Sequence, residues 1–399
     1  MTDSLWIIGT EMLPIGRYPD KDIVDLATGA ARGALGDAGR TMGDIDVLAV
    51  GCVNESQYML AQRIQRQMGQ TGIPAYNVVN ACATGATAVR TVIMAIKAGE
   101  ATMGLAIGCE QMGKMGLLGK AAKPRAEKKV FEPQGRYGHV LGIEGRLGTN
   151  LMPGVFAHAG LEYAKEHGGV GVEQFARIAE KNHAHSTLNP LAQYRKRFTM
   201  EEIMAADMIS WPNTSLMCSP TGDGAAAVVV TSGERLATLP DEVRRRAVKI
   251  SASVLTSDPF VDGGQVQADI NTLTRLAADR AYEAAGVSPS DLDLVELHDC
   301  FATAELVHYD NLRLCKPGEA GEFIDSGAPW RDGRTPVNVS GGLISKGHPL
   351  GATGVANLYE IATHLRGEAG DRQIEGARVG LAHVIGLGSA CAIHILERA

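Results

Sequence analysis

The sequence predicts an α/β fold made of two duplicated halves, with a smaller loop subdomain inserted into the first half. Three observations predict this fold class: helix, strand and glycine-turn signals alternate along the chain, segments of the first half recur in the second, and one long stretch of the first half has no counterpart. The 399 residues suffice for two units that each bury a core. We place the halves at 1–236 and 237–399, with the inserted subdomain at about 114–217.

The first recurring unit consists of a helix, a short loop and an apolar strand. It occupies residues 34–50 and recurs at residues 281–297. Gly39 and Gly286 follow the two helical segments, and glycine commonly ends a helix. The apolar runs that come next predict buried strands.

The second recurring unit carries reactive side chains. Cys82-Ala-Thr-Gly-Ala-Thr87 aligns with His348-Pro-Leu-Gly-Ala-Thr353, so a thiol in the first half corresponds to an imidazole in the second. Both turns lead into helix-like segments, and the positive end of a helix lowers a thiol pKa. We expect Cys82 to be a nucleophile that shares one cleft with His348. The alternatives are a buried, inert cysteine and a histidine that only makes hydrogen bonds in a loop.

The third recurring unit is a glycine turn that leads into a buried strand of small and β-branched residues, at residues 222–230 and 386–394. The inserted subdomain precedes its first copy and is too long for a connecting loop. The later part of the insertion predicts amphipathic helices at residues 157–167 and 172–183. Its earlier part is basic, with the cations Lys120, Lys123, Arg125, Lys128, Lys129 and Arg136.

Two further reactive residues follow a strand predicted over residues 292–297. They are His298 and Cys300, and alternate residues of an extended chain point to the same side. Catalytic groups of α/β folds gather at such strand ends. We expect both residues to be catalytic groups; the alternatives are a loop histidine and a core cysteine.

The net charge, the apolar runs and the cysteine spacing argue against several classes of protein. The formal net charge of −7 argues against a nucleic-acid-binding protein, which normally has a basic surface. No apolar run approaches the roughly 18–20 residues that cross a bilayer, and the first residues do not resemble a signal peptide. The seven cysteines include no CxxC pair, which is typical of reduced thiols. We expect a cytoplasmic protein without nucleic-acid or membrane partners.

Together, these motifs resemble the thiolase superfamily, and within it the sterol-carrier-protein-X type, over essentially the whole chain. The motifs that carry the resemblance are NACATG at residues 80–85, GCEQM at 108–112, SPTGDGAA at 219–226, HDCF at 298–301 and GHPLGATG at 347–354. The resemblance implies a five-layered αβαβα thiolase fold with a loop domain inserted in the first half. It also implies a dimeric core, as a homodimer or a dimer of dimers.

One motif departs from the ordinary thiolase pattern. Ordinary thiolases have a second catalytic cysteine in a Cys-x-Gly element near the C-terminus, where this chain has Val384-Ile-Gly386. The sterol-carrier-protein-X type also lacks that thiol and carries a cysteine in its His-Asp-Cys-Phe element, which here is Cys300. The resemblance therefore implies that Cys300 is the acid/base thiol, and we expect Cys391 to be a core residue.

The resemblance also implies a reaction and a role for each residue. Cys82 would attack a 3-oxoacyl-CoA and form an acyl thioester that CoA cleaves, with the Claisen condensation as the reverse reaction. His348 would act as base and, with His298, stabilise the enolate oxygen. The backbone N–H groups of Cys82 and Gly386 would form a second oxyanion hole. CoA is then a co-substrate, and no permanently bound cofactor is expected.

The basic stretch has two interpretations. It can bind the phosphates of CoA or form a solvated charged loop; the residues concerned are Lys120, Lys123, Arg125, Lys128 and Lys129. The acyl chain and the physiological direction stay open.

Two other functions remain as alternatives. One is a CoA-dependent condensing subunit that uses a non-CoA acceptor and is active only with an OB-fold/zinc-ribbon partner protein. The other is a non-catalytic metal-binding protein, because Cys82, His298, Cys300 and His348 form a Cys2His2 set. Their spacing does not match that of a zinc finger.

Overall fold

The structure, a computed structural model, describes residues 4–115, 151–259, 270–387 and 389–399. The six cations predicted to bind phosphate or form a solvated loop lie outside these residues: Lys120, Lys123, Arg125, Lys128, Lys129 and Arg136.

The first half begins with β1 (Leu5–Met12), α1 (Ile23–Asp37), β2 (Val47–Gly51), α2 (Leu60–Met68), β3 (Ala75–Val78), α3 (Thr84–Lys97), β4 (Met103–Gln111) and α4 (Met112–Met115). The inserted segment then contains α5 (Leu151–His167), α6 (Val172–Ser186), α7 (Met200–Ala205), β5 (Met208–Ser210) and β6 (Asn213–Thr214). The strand β7 (Asp223–Ser232) follows, and the polar stretch after it forms α8 (Gly233–Ala237) and α9 (Asp241–Arg246).

The second half contains β8 (Val248–Thr256), α10 (Ile270–Ala285), β9 (Leu294–Glu296), α11 (Ala302–Asn311), α12 (Ala320–Asp325), α13 (Thr353–Arg366), β10 (Val379–Gly386) and β11 (Ala390–Arg398). Within the described residues, no helix is both long and apolar enough to cross a membrane.

Nine of the described strands form one sheet in which each half repeats one order, and β5 and β6 form a separate pair. The full order is β3-β2-β4-β7-β1-β8-β11-β10-β9. In the first half β2 pairs in parallel with β3 and β4, and β7 pairs antiparallel with β4 and β1. In the second half β9, β10, β11 and β8 repeat this pattern, and a parallel bridge from Val295 to Val337 takes the place of β3. The duplication is therefore present in the strand connectivity.

The helices form three layers around the two parts of the sheet. α3 and α13 contact each other and strands of both halves, so they form the central layer. α1 covers the other face of the first-half strands, and α10 covers that of β8 and β11. A central apolar core joins Val89 of α3 and Val355 of α13 to strand residues of both halves. This arrangement confirms the predicted five-layered αβαβα fold.

The predicted alignment places Cys82 and His348 at the same distance from their helices, and this is wrong. α3 begins at Thr84, directly after the Cys82 turn, whereas α13 begins only at Thr353. The Pro349 carbonyl accepts the N–H groups of Ala352 and Thr353 at 2.9 and 3.0 Å, which closes an additional turn between His348 and its helix. The third unit also differs, because Gly386 ends β10 and the next strand begins at Ala390.

The predicted helices of the insertion exist but are longer than expected. α5 spans Leu151–His167, so it includes six residues before the predicted start at 157, among them Pro153 and Gly154. α6 begins at the predicted Val172 and its first part has one buried apolar face, as predicted, but it continues to Ser186, and residues 181–186 are all buried, polar side chains included. These buried polar residues are Lys181, Asn182, His183 and His185.

Candidate active site

A cavity of about 500 Å³ collects the four reactive residues that the sequence singles out. Cys82, His298, Cys300 and His348 all line it and all are buried. The Cys82 sulfur and ring nitrogens of His298 and His348 lie within 4.8 Å of one another. Within the described chain Cys300 does not belong to that close group, so the structure brings together three of the four ligands required by the zinc alternative.

The turn before α3 holds Cys82 in a defined position. Ala81 adopts a left-handed conformation with φ of 48°, which is uncommon for a residue with a side chain and reverses the chain before the cysteine. The Thr84 hydroxyl accepts the Asn80 N–H at 2.7 Å, and the Asn80 carbonyl accepts the Ala83 N–H at 3.0 Å. These bonds place the thiol at the start of the helix.

Contrary to the sequence prediction, burial raises the pKa of Cys82, to about 12. The N–H groups of Cys82 and Leu387 lower the pKa and the Glu110 carboxylate raises it, but desolvation is the largest cause. A thiol at a helix start is stabilised as a thiolate only where solvent or cations offset its burial. Cys82 is therefore a neutral thiol near pH 7 and needs a base.

His348 has its unprotonated nitrogen free to be that base. The Thr353 hydroxyl has one proton and donates it to the Pro349 carbonyl at 3.0 Å, so it accepts a hydrogen bond from Nδ1–H of His348 at 2.7 Å. The neutral ring then carries its lone pair on Nε2, which is buried without a partner in the described structure. Burial, with the Lys346 charge, lowers the pKa of His348 to about 3, so the ring is neutral at rest.

His298 and Cys300 are neutral as well. The His298 ring meets the His348 ring edge-on, with centroids 5.1 Å apart. Burial, and then the nearby His348, hold the pKa of His298 well below its usual range. Burial and the neighbouring Cys82 raise the pKa of Cys300 well above that of a free thiol. The two residues line the same cavity, as expected from their alternation in extended backbone.

The end of β10 packs directly against the Cys82 turn. A side chain at Gly386 would collide with the Asn80 carbonyl, so only glycine permits this approach. Val384 packs in one apolar cluster with Cys82, at the position where ordinary thiolases have their second thiol. Cys391 is buried in β11 and does not line the cavity.

A buried polar network holds the segment between His298 and Cys300. Asp299 accepts the N–H groups of Leu343 and Ile344 at 2.7 and 3.2 Å, and an N–H of the Asn182 amide at 2.8 Å. The same amide bonds Glu305 at 2.7 Å. Glu305 forms an ion pair with Lys181 at 2.8 Å, with both side chains fully buried.

The sequence analysis missed this network. Its signal was the polar run Lys-Asn-His-Ala-His in a segment predicted to present an apolar face. Burial, and then Glu305, raise the pKa of Asp299 to about 8, and its two backbone donors act against that rise.

A neutral thiol, a facing neutral imidazole and a second thiol in one apolar cavity of a duplicated α/β fold are an arrangement suited to nucleophilic catalysis by a cysteine. Comparison with known families agrees. The family description "Thiolase, N-terminal domain" matches residues 5–198, and "Thiolase C-terminal domain-like" matches residues 265–398. The chain belongs to the thiolase family, and it is a thiolase-family acyltransferase.

Individual relatives span nearly the whole chain. "Sterol carrier protein 2" of Rattus norvegicus is 37% identical over 390 residues, which cover 96% of this chain and 69% of that protein. "Acetyl-CoA acetyltransferase" of Methanothermobacter thermautotrophicus is 33% identical over 402 residues, which cover 98% of this chain and 99% of that protein.

The fold is also similar to a solved structure entitled "Ltp2-ChsH2(DUF35) aldolase". The TM-score is 0.79 at 23% identity, and the alignment covers 100% of this chain and 98% of that chain. At this identity the likeness shows the fold alone.

The Thr353 hydroxyl should fix the tautomer of His348. Thr353→Val keeps the shape of the side chain but removes the acceptor for Nδ1–H, and a lost hydrogen bond of about 1–1.5 kcal/mol corresponds to a roughly tenfold lower kcat. Thr353→Ser retains the hydroxyl and should stay within about twofold of the wild type. Steady-state acyl-transfer kinetics measure both; an unchanged kcat for Thr353→Val would contradict the tautomer assignment.

The Lys181–Glu305 pair should be essential for stability. Lys181→Met leaves the Glu305 carboxylate buried without its cation, which should cost about 3–5 kcal/mol of unfolding free energy. Urea unfolding of the purified protein measures the loss, and adding Glu305→Gln to the variant should recover most of it. Lys316→Met breaks an exposed ion pair with Glu319 and should cost less than about 1 kcal/mol. Equal losses for the two lysine variants would contradict the prediction.

Proposed function

We propose that this protein is a thiolase that cleaves a 3-oxoacyl-CoA with CoA through an acyl-Cys82 thioester, or catalyses the reverse Claisen condensation. The observation that carries the proposal is the approach of the Cys82 sulfur and the His348 ring within 4.8 Å, with the unprotonated Nε2 of His348 lacking any other partner among the described residues. The 33% sequence identity between this chain and an acetyl-CoA acetyltransferase supports CoA thioesters as substrates.

The first step is nucleophilic attack. His348 takes the thiol proton at Nε2 while the Cys82 sulfur bonds to the 3-oxo carbon of the substrate. The bond between carbons 2 and 3 then breaks, and its electron pair forms an enolate on the departing CoA ester. Cys300 donates its thiol proton to carbon 2, and the acyl-CoA that contains carbons 1 and 2 leaves.

The second step regenerates the enzyme. The Cys300 thiolate takes the proton of an incoming CoA thiol, and the CoA sulfur attacks the acyl-Cys82 carbonyl. Cys82 leaves and recovers its proton from His348. The products are two acyl-CoA molecules. Cys82 regains its proton from His348, and the CoA thiol replaces the proton that Cys300 gave to carbon 2.

Two groups of donors serve the oxyanions. His298 and His348 face the cavity together and would stabilise the enolate oxygen. The N–H groups of Cys82 and Leu387 act on the Cys82 sulfur, and Gly386 precedes Leu387 where β10 abuts the Cys82 turn. We propose that the backbone of Cys82 and of residues 386–387 stabilises the tetrahedral intermediate. Removing one such donor typically costs about 3–4 kcal/mol.

An apolar acyl group fits the cavity walls. Aromatic and aliphatic side chains line most of the cavity, namely Met152, Phe156, Phe198, Ile209, Leu216 and Phe301. The described lining contains no Asp, Glu, Lys or Arg. We therefore propose acyl chains without a charged end, and lipid metabolism of the β-oxidation type as the setting in which such chains are cleaved.

A second candidate function requires a partner. The solved structure with a similar fold, "Ltp2-ChsH2(DUF35) aldolase", includes a DUF35 protein in its name. A condensing or cleaving subunit that needs an OB-fold/zinc-ribbon accessory protein is the corresponding candidate here. Thiolysis by the isolated chain would exclude an obligatory partner.

Replacing the two thiols tests the assigned roles. Cys82→Ala should reduce thiolysis below about 0.1% of the wild-type rate, because no acyl-enzyme can form. Cys300→Ala should lower kcat by about 10²–10⁴-fold, the usual contribution of a general acid. It should still accept an acyl group on Cys82, visible as a mass increase of the intact protein. Near-normal turnover of Cys300→Ala would refute its acid/base role, and stoichiometric zinc in the purified protein would refute the mechanism.

The edge of the sheet supports the proposed homodimer. β3 is an edge strand, and an exposed apolar patch lies beside it, formed by Tyr58, Met59, Tyr76 and Val79. Unpaired edges with apolar side chains favour association.

Tyr76→Lys should raise the dimer dissociation constant at least about tenfold, because it places a charge in the edge patch. Light scattering during size-exclusion chromatography measures this. Met204→Lys, at an exposed position of α7, is the control and should leave the mass unchanged. A wild-type mass for Tyr76→Lys at all concentrations would contradict this interface.

A further inference from the structure

Four exposed cations lie beside the catalytic cavity. Three are consecutive, Arg195, Lys196 and Arg197, and the fourth is Arg17. Tyr194 and Phe198, which flank the three in sequence, both line the cavity. We call these four cations the basic rim.

Direct contacts connect the basic rim to the cavity wall. Arg17 Nη2 donates to the Thr221 hydroxyl at 2.7 Å, and Gln193 Nε2 donates to the Thr221 carbonyl at 3.3 Å. Thr221 itself lines the cavity. The Lys196 ammonium lies 4.6 Å from the ring centroid of Phe198, a second lining residue. The segment that carries the three consecutive cations and the Arg17 side chain therefore converge on one side of the cavity.

The charges of the basic rim are not held in ion pairs, although Arg17 lies near the buried Asp223 carboxylate, which accepts the N–H groups of Tyr18 and Gly113. Within the described ranges none of its four members forms an ion pair with a carboxylate. The nearby Glu202 accepts the backbone N–H of Thr199 at 2.8 Å and caps α7. The chain as a whole has a formal net charge of −7, so a local group of four cations contrasts with the rest of the molecule. Cations that are outside ion pairs and lie next to a cavity attract an anionic ligand.

We propose that the basic rim binds the phosphate groups of the CoA moiety while the thioester reaches Cys82. This inference rests on the proposed thiolase function and specifies where its substrate is held. Guanidinium groups bind phosphate through paired N–H donors and an ammonium binds it as a point charge, so Arg17 and Lys196 suit two parts of one phosphorylated ligand. The apolar cavity then receives the acyl part, and the exposed rim receives the charged part.

The test compares substrates with and without phosphates. Arg17→Glu and Lys196→Glu, alone and together, are assayed for thiolysis of a 3-oxoacyl-CoA by CoA. The same variants are assayed with the 3-oxoacyl thioester of N-acetylcysteamine and free N-acetylcysteamine as the thiol. Lys97→Glu is the matched control, since it makes the same charge change at the far end of α3, roughly 20 Å from the Cys82 turn.

Each rim variant should raise KM for the CoA substrates about tenfold and the pair about 100-fold, with kcat unchanged. The kinetics with N-acetylcysteamine substrates should not change, and Lys97→Glu should behave as the wild type in both assays. The wild-type KM for CoA substrates should also rise with salt, because exposed ion pairs are screened.

Equal effects on both substrate classes, or no effect on either, would overturn the assignment. Calorimetric titration with adenosine 3′,5′-bisphosphate provides a readout that does not depend on the reaction: the wild type should bind it and the double variant should bind at least about tenfold more weakly. If the wild type cleaves neither substrate class, the proposed function fails, and the titration still decides whether the basic rim is a phosphate site. Equal nucleotide affinity in wild type and double variant would refute it.

Discussion

The close contact between the two halves at their reactive turns is the constraint on which the site depends. Gly85 of the first half lies so close to the second half that an added Cβ would come within 2.5 Å of the Gly351 carbonyl. The buried Glu110 carboxylate joins the same elements, because it accepts the N–H groups of Val53 at 2.8 Å and of Gly351 at 3.2 Å. With a side chain at Gly85, or without an acceptor at residue 110, the thiol and the imidazole would separate. The glycines and this carboxylate therefore fix the distance on which the chemistry rests.

The burial produced by this contact determines the resting protonation states. Desolvation raises the pKa values of Cys82 and Cys300 and lowers those of His298 and His348. All four groups are consequently uncharged near pH 7, and the cavity holds no ion pair that would have to be broken before reaction. Proton transfer to His348 must then precede or accompany nucleophilic attack, because a thiolate without a cation beside it would be unstable in an apolar cavity. Deprotonation of Cys82 therefore depends more on the tautomer of His348, which Thr353 fixes, than on the helix dipole at Cys82.

The fold and the residues that line the site could be predicted from the sequence largely because local patterns encode both. Glycine turns, apolar strands and the repeated Gly-Ala-Thr segments predicted the two halves and the shared location of Cys82 and His348. The pKa of Cys82 was predicted in the wrong direction, because burial is a property of the assembled halves and not of the turn. The helix α6 was misread for a similar reason: its polar residues are buried, and only the tertiary partner Glu305 accounts for a buried Lys181. The basic rim escaped notice because Arg17 and Lys196 are far apart in sequence.

The two halves differ in the segment that joins their corresponding strands. As a result, the reactive residues and much of the wall that contacts the substrate come from different parts of the chain. In the second half three residues separate β10 from β11, whereas in the first half residues 112–222 separate the corresponding strands β4 and β7. Leu387, directly after β10, contributes a backbone N–H that acts on the Cys82 sulfur, so this connection must stay short. The insertion contributes Phe156, Phe198 and the three consecutive cations of the basic rim. Since the reactive side chains come from the duplicated frame and half of the remaining described wall comes from the insertion, changes in the insertion can alter the substrate without moving the reacting atoms.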